Sequence, residues 1–351
     1  MSSSSVSSEP TAAPVVRPTP EAIQQAFQLM TGHFVASAVN IAARLSLSDR
    51  LAKGPRSAED LARETGTDAG ALYRLMRALA SLGVFEEGAD RKFALTPVGA
   101  ALCEGPVRRM ALWIAGEFNF QVYANAMHSV KTGESAVPFT TGVGGPFEVF
   151  ARNPELSQIF NDAMTGFSSV VVPAVLEAYD FSGIRTLVDV AGGHGALLTA
   201  ILQKHPAMKG IVMDLDHVVQ GATPAIAAQG LADRATAVAG DFFAEVPAGG
   251  DAYIMKHIIH DWYDDKASQI LANIRKVLPK DGRVLLVESV IPPGNEPGMG
   301  KIIDLEMLVM AGGKERTEQE FRDLFERSGF TLTRIVPTRS PLAVIEARPK
   351  Q

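Results

Sequence analysis

The spacing of apolar residues changes character about halfway along this chain of 351 residues. Between residues 20 and 51, apolar side chains recur at helical spacing, as at Phe27, Met30 and Phe34. From Thr186 onward, short apolar runs such as TLVDVA, GIVMD, DAYIM and RVLLVES alternate with amphipathic segments such as KASQILANIRKVL. This alternation predicts a mostly parallel sheet with helices on both faces. The sequence therefore predicts an α/β domain that follows a helical region.

The segment that ends near residue 100 follows the order helix, helix, helix, hairpin. Ser57 is a candidate N-cap with Asp60 three residues later, and Gly66 can end that helix. A further helix is predicted in TDAGALYRLMRALASLG, and two short strands in VFEEGADRKFALT. This order is typical of a winged helix, a module that often binds DNA. Residues 55–100, however, hold six basic and seven acidic side chains, a net charge of −1, whereas DNA binding needs a basic surface. A dimerisation or packing module is therefore expected.

Composition excludes several classes of protein. The chain carries 33 basic and 39 acidic residues, a balance that argues against broad binding to nucleic acid or to an anionic membrane. The single cysteine, Cys103, excludes an internal disulfide and a multi-cysteine metal site, and it fits a reducing compartment. We identify no apolar run of about 18 residues that would suggest a membrane span. The Ser/Pro-rich start, MSSSSVSSEP, lacks the features of a secretion signal and is expected to be disordered. A cytoplasmic location is therefore predicted.

Glycines and acids follow the predicted strands where a ligand would bind. The stretch TLVDVAGGHG places three glycines directly after the first strand, with a spacing unlike the dinucleotide motif G-x-G-x-x-G. Asp214 ends the second strand, and Asp241 follows the next one beside Phe242. An acid at the end of the second strand can hold the two hydroxyls of a ribose. This set suits a ligand with a ribose, a purine and an amino-acid tail.

Residues 256–265, KHIIHDWYDD, allow four interpretations. Asp264 or Asp265 can cap the following helix, and we expect one of them to do so. His257 and His260 could bind a metal, but no third histidine or cysteine is nearby, so no metal site is predicted. His257 fits a satisfied core histidine or a pocket wall. His260 fits a general base, because a phenol with a pKa of about 10 is a poor nucleophile at neutral pH until its proton is removed.

A histidine that acts as a base needs a partner to orient its second nitrogen, and carboxylates are suitable. Glu288 ends the strand RVLLVES, and Glu315 lies in GGKERT. Any single glutamate is more often a surface residue than a catalytic one. Position at a strand end favours the catalytic interpretation for Glu288.

The motifs DVAGGHG, MDLDHVV, GDFF, MKHIIHDWYDD and GGKERT, in this order, closely resemble the plant-type and hydroxyindole-type family of S-adenosylmethionine-dependent O-methyltransferases, including its bacterial natural-product branch. The resemblance covers nearly the whole chain. It implies a class I methyltransferase fold, an α/β Rossmann-like seven-stranded sheet, preceded by a helical, winged-helix dimerisation domain. The predicted segments are a disordered tail (1–18), a dimerisation domain (19–106), a helical segment contributing to the acceptor pocket (107–178) and a cofactor-binding domain (179–351).

The resemblance also implies roles for individual residues. The catalytic group would be His260 with Glu288 and Glu315. The cofactor S-adenosylmethionine would contact Ala191, Gly192, Gly193, Asp214, Leu215, Asp241, Phe242 and Lys256. The acceptor would contact Phe160, Met164, Phe167, His257, Asp261, Met307 and Met310. Ala191 stands where the family usually has glycine, a change expected to be tolerated if the backbone there has negative φ.

The predicted activity is transfer of a methyl group from S-adenosylmethionine to a hydroxyl of an aromatic, phenolic small molecule, leaving S-adenosylhomocysteine. Secondary-metabolite biosynthesis and a homodimer formed through the N-terminal domain are expected, without metal, nucleic-acid or membrane partners. Two alternatives stay open: a relative that binds the cofactor without methylating, and a winged-helix regulator that senses a ligand. The identity of the acceptor is not predicted.

Overall fold

The computed structural model describes residues 16–351, which divide into two compact units at the bond between Ala100 and Ala101. The first unit contains helices and a small antiparallel sheet of order β1-β3-β2. Its helices are α1 (Pro20–Met30), α2 (Gly32–Arg44), α3 (Leu47–Leu51), α4 (Ala58–Thr65) and α5 (Ala69–Ser81), and α6 (Pro97–Ala101) ends one residue beyond the boundary. Its strands are β1 (Arg56–Ser57), β2 (Phe85–Glu87) and β3 (Lys92–Leu95).

The predicted helix caps and the predicted hairpin of the first unit are present in the structure. The Ser57 hydroxyl accepts the backbone N–H of Asp60 at 3.1 Å and caps α4, and Gly66 ends this helix with φ of 69°. The left-handed backbone favours glycine there. The predicted hairpin is formed by β2 and β3, which pair from Phe85↔Leu95 to Glu87↔Phe93.

Helix α1 presents an apolar stripe that no other part of residues 16–351 covers. The helix contains no buried residue. Phe27 and Met30 are each 60% exposed, and Phe34 at the start of α2 is 63% exposed. Such a continuous apolar surface is typical of an interaction site, because its burial would be favourable.

The second unit begins with six helices, in agreement with the helical pattern predicted there. They are α7 (Pro106–Ile114), α8 (Glu117–Tyr123), α9 (Ala126–Thr132), α10 (Ala136–Thr141), α11 (Pro146–Arg152) and α12 (Pro154–Ala178). Helix α12 is long and apolar enough, by length and composition alone, to cross a membrane, which the sequence analysis did not identify. Six of its residues are buried within the unit, and Gly166 allows its backbone to approach Pro106 at the start of α7.

The rest of the second unit is an α/β domain with a sheet of seven strands, which confirms the predicted fold class. The strands are β4 (Thr186–Val190), β5 (Lys209–Asp214), β6 (Ala235–Ala239), β7 (Ala252–Lys256), β8 (Arg283–Glu288), β9 (Phe330–Pro337) and β10 (Ala343–Pro349). Their order is β6-β5-β4-β7-β8-β10-β9, and β10 runs antiparallel to both neighbours. The helices are α13 (Ala196–Lys204), α14 (Asp216–Ala228), α15 (Asp264–Val277), α16 (Met299–Glu306) and α17 (Glu318–Arg327).

Both faces of the sheet are covered, which explains why its strands are almost continuously apolar. Successive side chains of a strand point to opposite faces. Leu187 and Ile254 accordingly belong to one buried cluster, and their neighbours Val188 and Met255 belong to another. The chain adds β5 and β6 on one side of β4 and then returns to add β7 on the other side. Strand β4 therefore pairs in parallel with both β5 and β7. Ligands of such sheets bind at this switch point, beyond the carboxyl ends of the strands.

The prediction that Asp264 or Asp265 caps α15 is wrong. The helix begins at Asp264, and its N-cap residue, Tyr263, makes no side-chain capping bond. Asp264 instead accepts hydrogen bonds from the guanidinium of Arg316, at 2.8 and 3.0 Å, and from Arg327 at 3.1 Å. A charged partner more than fifty residues away therefore determines the conformation of Asp264, and a local sequence rule could not reveal it.

Candidate active site

The turn after β4 is built from left-handed backbone. Ala191 has φ of 56°, and Gly193 and Gly195 have φ of 60° and 79°. The condition under which alanine would be tolerated at 191 is therefore not met, since an L-residue in this conformation costs roughly 1–2 kcal/mol. Gly192 is required for a different reason. An added Cβ would lie 2.6 Å from the carboxyl carbon of Asp189, so only glycine lets the turn pass this close to β4.

Asp214 connects the ends of two neighbouring strands. Its Oδ2 accepts the backbone N–H of Gly193 at 2.8 Å, and its Oδ1 accepts the N–H of Leu215 at the same distance. The side chain of Leu215 is exposed at this edge of the sheet. The carboxylate thus lies beside the glycine turn, where the sequence predicts a ribose.

Asp241 and Phe242 lie at the corresponding end of β6. Asp241 is exposed, and its Oδ1 accepts the N–H of Phe243 at 2.8 Å. Phe242 is half-buried and contacts Trp262, with ring centroids 6.2 Å apart. An exposed carboxylate next to an aromatic ring can contact both the polar edge and the flat face of a purine.

Asp189 is a buried acid that the sequence analysis did not assign to the site. Burial raises its pKa to about 7, although the ammonium of Lys256 acts in the opposite direction. Its Oδ2 has no hydrogen-bond partner among the described residues. Burial also lowers the pKa of Lys256, against the effect of the nearby carboxylates. The sequence did contain an indication of a special role, since Asp189 lies inside the apolar run TLVDV. Burying an unpaired charge is costly, so an acid in such a run is expected to have a function.

His260 lies at the centre of a group of carboxylates. It belongs to a short 3-10 turn, Ile259–Asp261, that follows β7. Its Nδ1 lies 2.8 Å from Oε1 of Glu315 and 3.9 Å from Oε2 of Glu288. Its Nε2 lies 3.5 Å from Oδ1 of Asp261. The structure therefore brings the three predicted catalytic residues together, although Glu315 is 55 positions away from His260 in the sequence.

Backbone contacts hold the two glutamates in place. Oε1 of Glu288, at the end of β8, accepts the N–H groups of Ile258 and Ile259, each at 3.0 Å. The N–H of Glu315 donates to Oδ1 of Asp304 at 2.9 Å. Both glutamates are buried, and the second oxygen of each has no partner among the described residues. This arrangement directs negative charge at the imidazole.

The carboxylates change the acid–base properties of His260. Burial by itself would lower the pKa of His260, but the charges of Glu288 and Asp261 and the hydrogen bond to Glu315 outweigh this effect and raise it to about 10. Burial also raises the pKa of Glu288 to about 7, against the attraction of His260. The site therefore stabilises a protonated imidazole strongly.

His257 is not the satisfied core histidine of one interpretation. Its Nε2 is buried without a partner among the described residues, and its backbone is left-handed with φ of 56°. The ring stacks on Phe167 with centroids 5.1 Å apart and lies 4.4 Å from the ring of His260. Burial lowers the pKa of His257 well below its ordinary value, which favours the neutral ring. His257, His260 and Glu288 each offer a ligand atom within 4.8 Å of the others, but His260 and Glu288 already belong to the carboxylate cluster.

The remaining predicted acceptor contacts lie in two places. Phe160, Met164 and Met310 belong to one apolar cluster with Trp113 and Phe150. Met307 begins a π-helix, Met307–Ala311, and its carbonyl accepts the N–H groups of the two glycines that open the GGKERT loop. The π-helix thus joins the apolar cluster to the loop that carries Glu315. Single π-helical turns are frequent at functional sites.

Arg316 is a site residue whose role the sequence analysis missed. Its guanidinium is completely buried and donates to the carbonyls of Ile259, Trp262 and Lys314, at 2.9 to 3.2 Å, as well as to Asp264. It therefore connects the turn that carries His260 to the loop that carries Glu315. Arg316 lies directly beside Glu315 in the motif GGKERT, which could have drawn attention to it. The groups that it binds are dispersed along the sequence, so their common partner could not be recognised there.

Fold and site together define a class of protein. A doubly wound sheet binds its ligand at the β4 switch point, where a left-handed glycine turn, Asp214 and Asp241 suit an adenosine with an amino-acid tail. A histidine with buried carboxylate partners lies after β7, on the same edge. These features are those of an α/β transferase that uses a nucleoside cofactor and acid–base chemistry.

The chain belongs to the O-methyltransferase family: the O-methyltransferase domain matches residues 123–331, and the O-methyltransferase dimerisation domain matches residues 27–105. It is 43% identical over 325 residues to the phenazine O-methyltransferase PhzM of Lysobacter antibioticus, covering 92% of this chain and 95% of that protein. The protein is thus an S-adenosylmethionine-dependent methyltransferase, as the motifs predicted.

Solved structures agree with this assignment. The structure of the mitomycin 7-O-methyltransferase MmcR is 34% identical, with a TM-score of 0.88 over 94% of this chain and 98% of that one. The O-methyltransferase NcsB1 from neocarzinostatin biosynthesis, in complex with S-adenosylmethionine and 2-hydroxy-5-methyl naphthoic acid, is 30% identical, with a TM-score of 0.78 over 90% of this chain and 96% of that one. The cofactor is therefore S-adenosylmethionine.

Proposed function

We propose that this methyltransferase methylates a phenolic hydroxyl of an aromatic secondary metabolite, with His260 as the general base. The observation that carries the proposal is the 2.8 Å contact between Nδ1 of His260 and Glu315. This hydrogen bond keeps the proton of a neutral imidazole on Nδ1 and leaves Nε2 free to accept a proton.

The residues of the site perform the proton transfer. Nε2 of His260 accepts the hydroxyl proton as the phenolic oxygen attacks, and the imidazolium that forms is stabilised by Glu315, Glu288 and Asp261. S-adenosylmethionine supplies an activated methyl group, which is transferred to that oxygen. The proton then leaves His260 for solvent. The same carboxylates that raise the pKa of His260 stabilise the imidazolium that this proton transfer creates.

The raised pKa of His260 has a consequence for the reaction's dependence on pH. Only the neutral imidazole can accept a proton, and the carboxylates favour the charged form. The rate at saturating substrates should therefore increase as the pH rises above neutrality.

We assign the cofactor contacts from their positions at the switch point. Asp214 holds the ribose hydroxyls, while Asp241 and Phe242 contact the adenine. The left-handed turn supplies backbone groups to the amino-acid tail. The contacting residues are Ala191, Gly192, Gly193, Asp214, Leu215, Asp241, Phe242 and Lys256. Their support is the fit between this edge of the sheet and the family's cofactor.

We assign the acceptor to the apolar surface beside His260. Phe167 and His257 form a flat stacked wall, which suits an aromatic ring. Phe160, Met164, Met307 and Met310 extend this surface along the apolar cluster, and Asp261 lies on the Nε2 side of His260. An extended wall of this kind suits a fused aromatic acceptor.

A panel of acceptors tests the proposed function. Hydroxylated naphthalenes, phenazines, flavonoids and indoles are incubated with methyl-labelled cofactor, and each is matched by the analogue that carries an amine in place of the hydroxyl. We expect label in the hydroxylated members, recovered as methyl ethers. Label only in the amines, or in no member of the panel, would contradict O-methylation of an aromatic hydroxyl.

We also propose that the protein is a homodimer formed through the apolar stripe of α1 and α2. Light scattering of the full-length protein should give twice the chain mass of 37.4 kDa. Phe27→Glu should shift the protein towards monomers, because a buried unpaired charge is strongly unfavourable. Gln25→Glu, which adds the same charge on the opposite side of α1, is the matched control and should leave the mass unchanged. A full-length protein that stays monomeric at micromolar concentrations would refute this assembly.

The cytoplasmic location stays a prediction.

A further inference from the structure

A tyrosine–glutamate pair connects α8 to α16, and the proposed reaction does not use it. The hydroxyl of Tyr123, the last residue of α8, donates to Oε2 of Glu306, the last residue of α16, at 2.5 Å. Glu306 is partly buried, whereas Tyr123 is 36% exposed. The contact joins positions 183 residues apart, so neither helix alone could create it.

The position of Glu306 relates it to both parts of the site. Two residues earlier on α16, Asp304 holds the backbone of Glu315, the partner of His260. The next residue, Met307, begins the π-helix that we assign to the acceptor surface. On the other side of the contact, Val122 precedes Tyr123 and belongs to the same apolar cluster as Met310. The pair is therefore linked along the chain both to the catalytic group and to the acceptor surface that we assign.

The charge of Glu306 is unbalanced. Burial raises its pKa, against the effect of the Tyr123 hydrogen bond. Within residues 16–351, no lysine, arginine or histidine forms an ion pair with Glu306, and only one of its two oxygens accepts a hydrogen bond. Oε1 of Glu306 is accessible, so a donor from water or from a ligand can reach it. It also repels an anion placed beside it.

We propose that Glu306, oriented by Tyr123, accepts a hydrogen bond from an N–H or O–H group of the acceptor at a position remote from the reacting hydroxyl, and so selects donor-bearing acceptors over acidic ones. This inference rests on the proposed function, because it assumes that the acceptor lies along the π-helix. It adds a chemical property to the substrate class: a fused aromatic that carries a second, uncharged hydrogen-bond donor.

Equilibrium binding tests the inference without requiring turnover. The probes are an aminonaphthol and a hydroxynaphthoic acid that share one ring system and one substitution pattern, so that only amine and carboxylate differ. Their dissociation constants are measured with protein saturated with S-adenosylhomocysteine. We expect the wild type to prefer the aminonaphthol by about tenfold or more, the scale of a hydrogen bond to a charged group. In Glu306→Gln this preference should fall to near one.

Two further variants separate selection from a structural role. Glu296→Gln removes the same charge from an exposed residue just before α16 and should keep the wild-type preference. Tyr123→Phe removes the connection between α8 and α16 but keeps the carboxylate, and it should retain a preference for the aminonaphthol. If the pair serves only to hold the two helices together, Glu306→Gln and Tyr123→Phe will lower thermal stability alike and neither will change the preference.

The outcomes for this inference and for the proposed function are distinguishable. Equal binding of both probes by the wild type, or an unchanged preference in Glu306→Gln, would overturn the inference even if hydroxyarenes are methylated. Absence of methyl transfer together with a preference that Glu306→Gln abolishes would count against the proposed function alone. Where turnover is measured, the variant should raise the acceptor KM more than it lowers kcat, because Glu306 does not touch the reacting atoms.

Discussion

His260→Ala should lower methyl transfer by about 10²–10⁴-fold at neutral pH, the usual contribution of a general base. The imidazole accepts the acceptor's proton and has no assigned role in holding the cofactor, so the affinity for S-adenosylmethionine should stay close to that of the wild type. Turnover is measured with labelled cofactor, and cofactor binding is measured separately by calorimetry. Near-wild-type turnover would exclude the proposed role of His260.

A pair of glutamate variants controls for the charge of the site. Glu315→Gln keeps the shape of the side chain but removes the negative charge 2.8 Å from Nδ1, so it should lower the pKa of His260 and move the rise of the rate with pH to lower pH. Turnover at the high-pH plateau should fall, because an amide oxygen holds the Nδ1 proton less strongly and does not stabilise the imidazolium. Glu318→Gln makes the same change three residues later on an exposed position of α17, and it should alter neither. Equal effects of the two variants would mean that Glu315 acts only through the net charge of the protein.

Arg316→Ala should lower the free energy of unfolding by about 2–4 kcal/mol, because each buried carbonyl left without its donor costs about 1–3 kcal/mol. The substitution leaves Asp264 without its buried partner and deprives the carbonyls of Ile259 and Trp262 of their donor. Because these groups connect the His260 turn to the Glu315 loop, turnover of the folded variant should fall as well. Urea unfolding gives the stability, and turnover is measured on the fraction that remains folded.

Arg327→Ala is the matched control, since Arg327 contacts the same carboxylate from a side chain that is 45% exposed. Exposed pairs contribute only about 0–1 kcal/mol, so this variant should be nearly as stable and as active as the wild type. If both arginine variants lose the same small amount of stability, Arg316 does not hold the two loops together.

Sequence patterns were sufficient for the fold of the second unit. The strands read as apolar runs because both faces of the sheet are covered, and their alternation with helices leads directly to a parallel arrangement. The same rule placed Asp214 and Glu288 at one edge, because parallel strands end on the same side. These inferences succeed because the responsible interactions are local or repeat with a regular period.

Four features could not be predicted from the sequence, for a common reason. The ionic partner of Asp264, the role of Arg316, the burial of Asp189 and the left-handed backbone of Ala191 all depend on groups brought together by folding. Helix-capping statistics favoured Asp264 as a cap, but a buried guanidinium binds its carboxylate more strongly than a nearby N–H could. Local propensity cannot anticipate such a partner.

The sequence by itself determined the order of helices and strands, the edge of the sheet where the ligands bind, and the types of side chain available there. The tertiary structure alone decided how those side chains work. It placed Glu315 against His260 across 55 residues and Tyr123 against Glu306 across 183. It also buried His260 beside its carboxylates, whose charges raise the pKa of this histidine against the effect of burial. The physical reason is that electrostatic energies depend on distance and burial, and neither quantity is defined until the chain has folded.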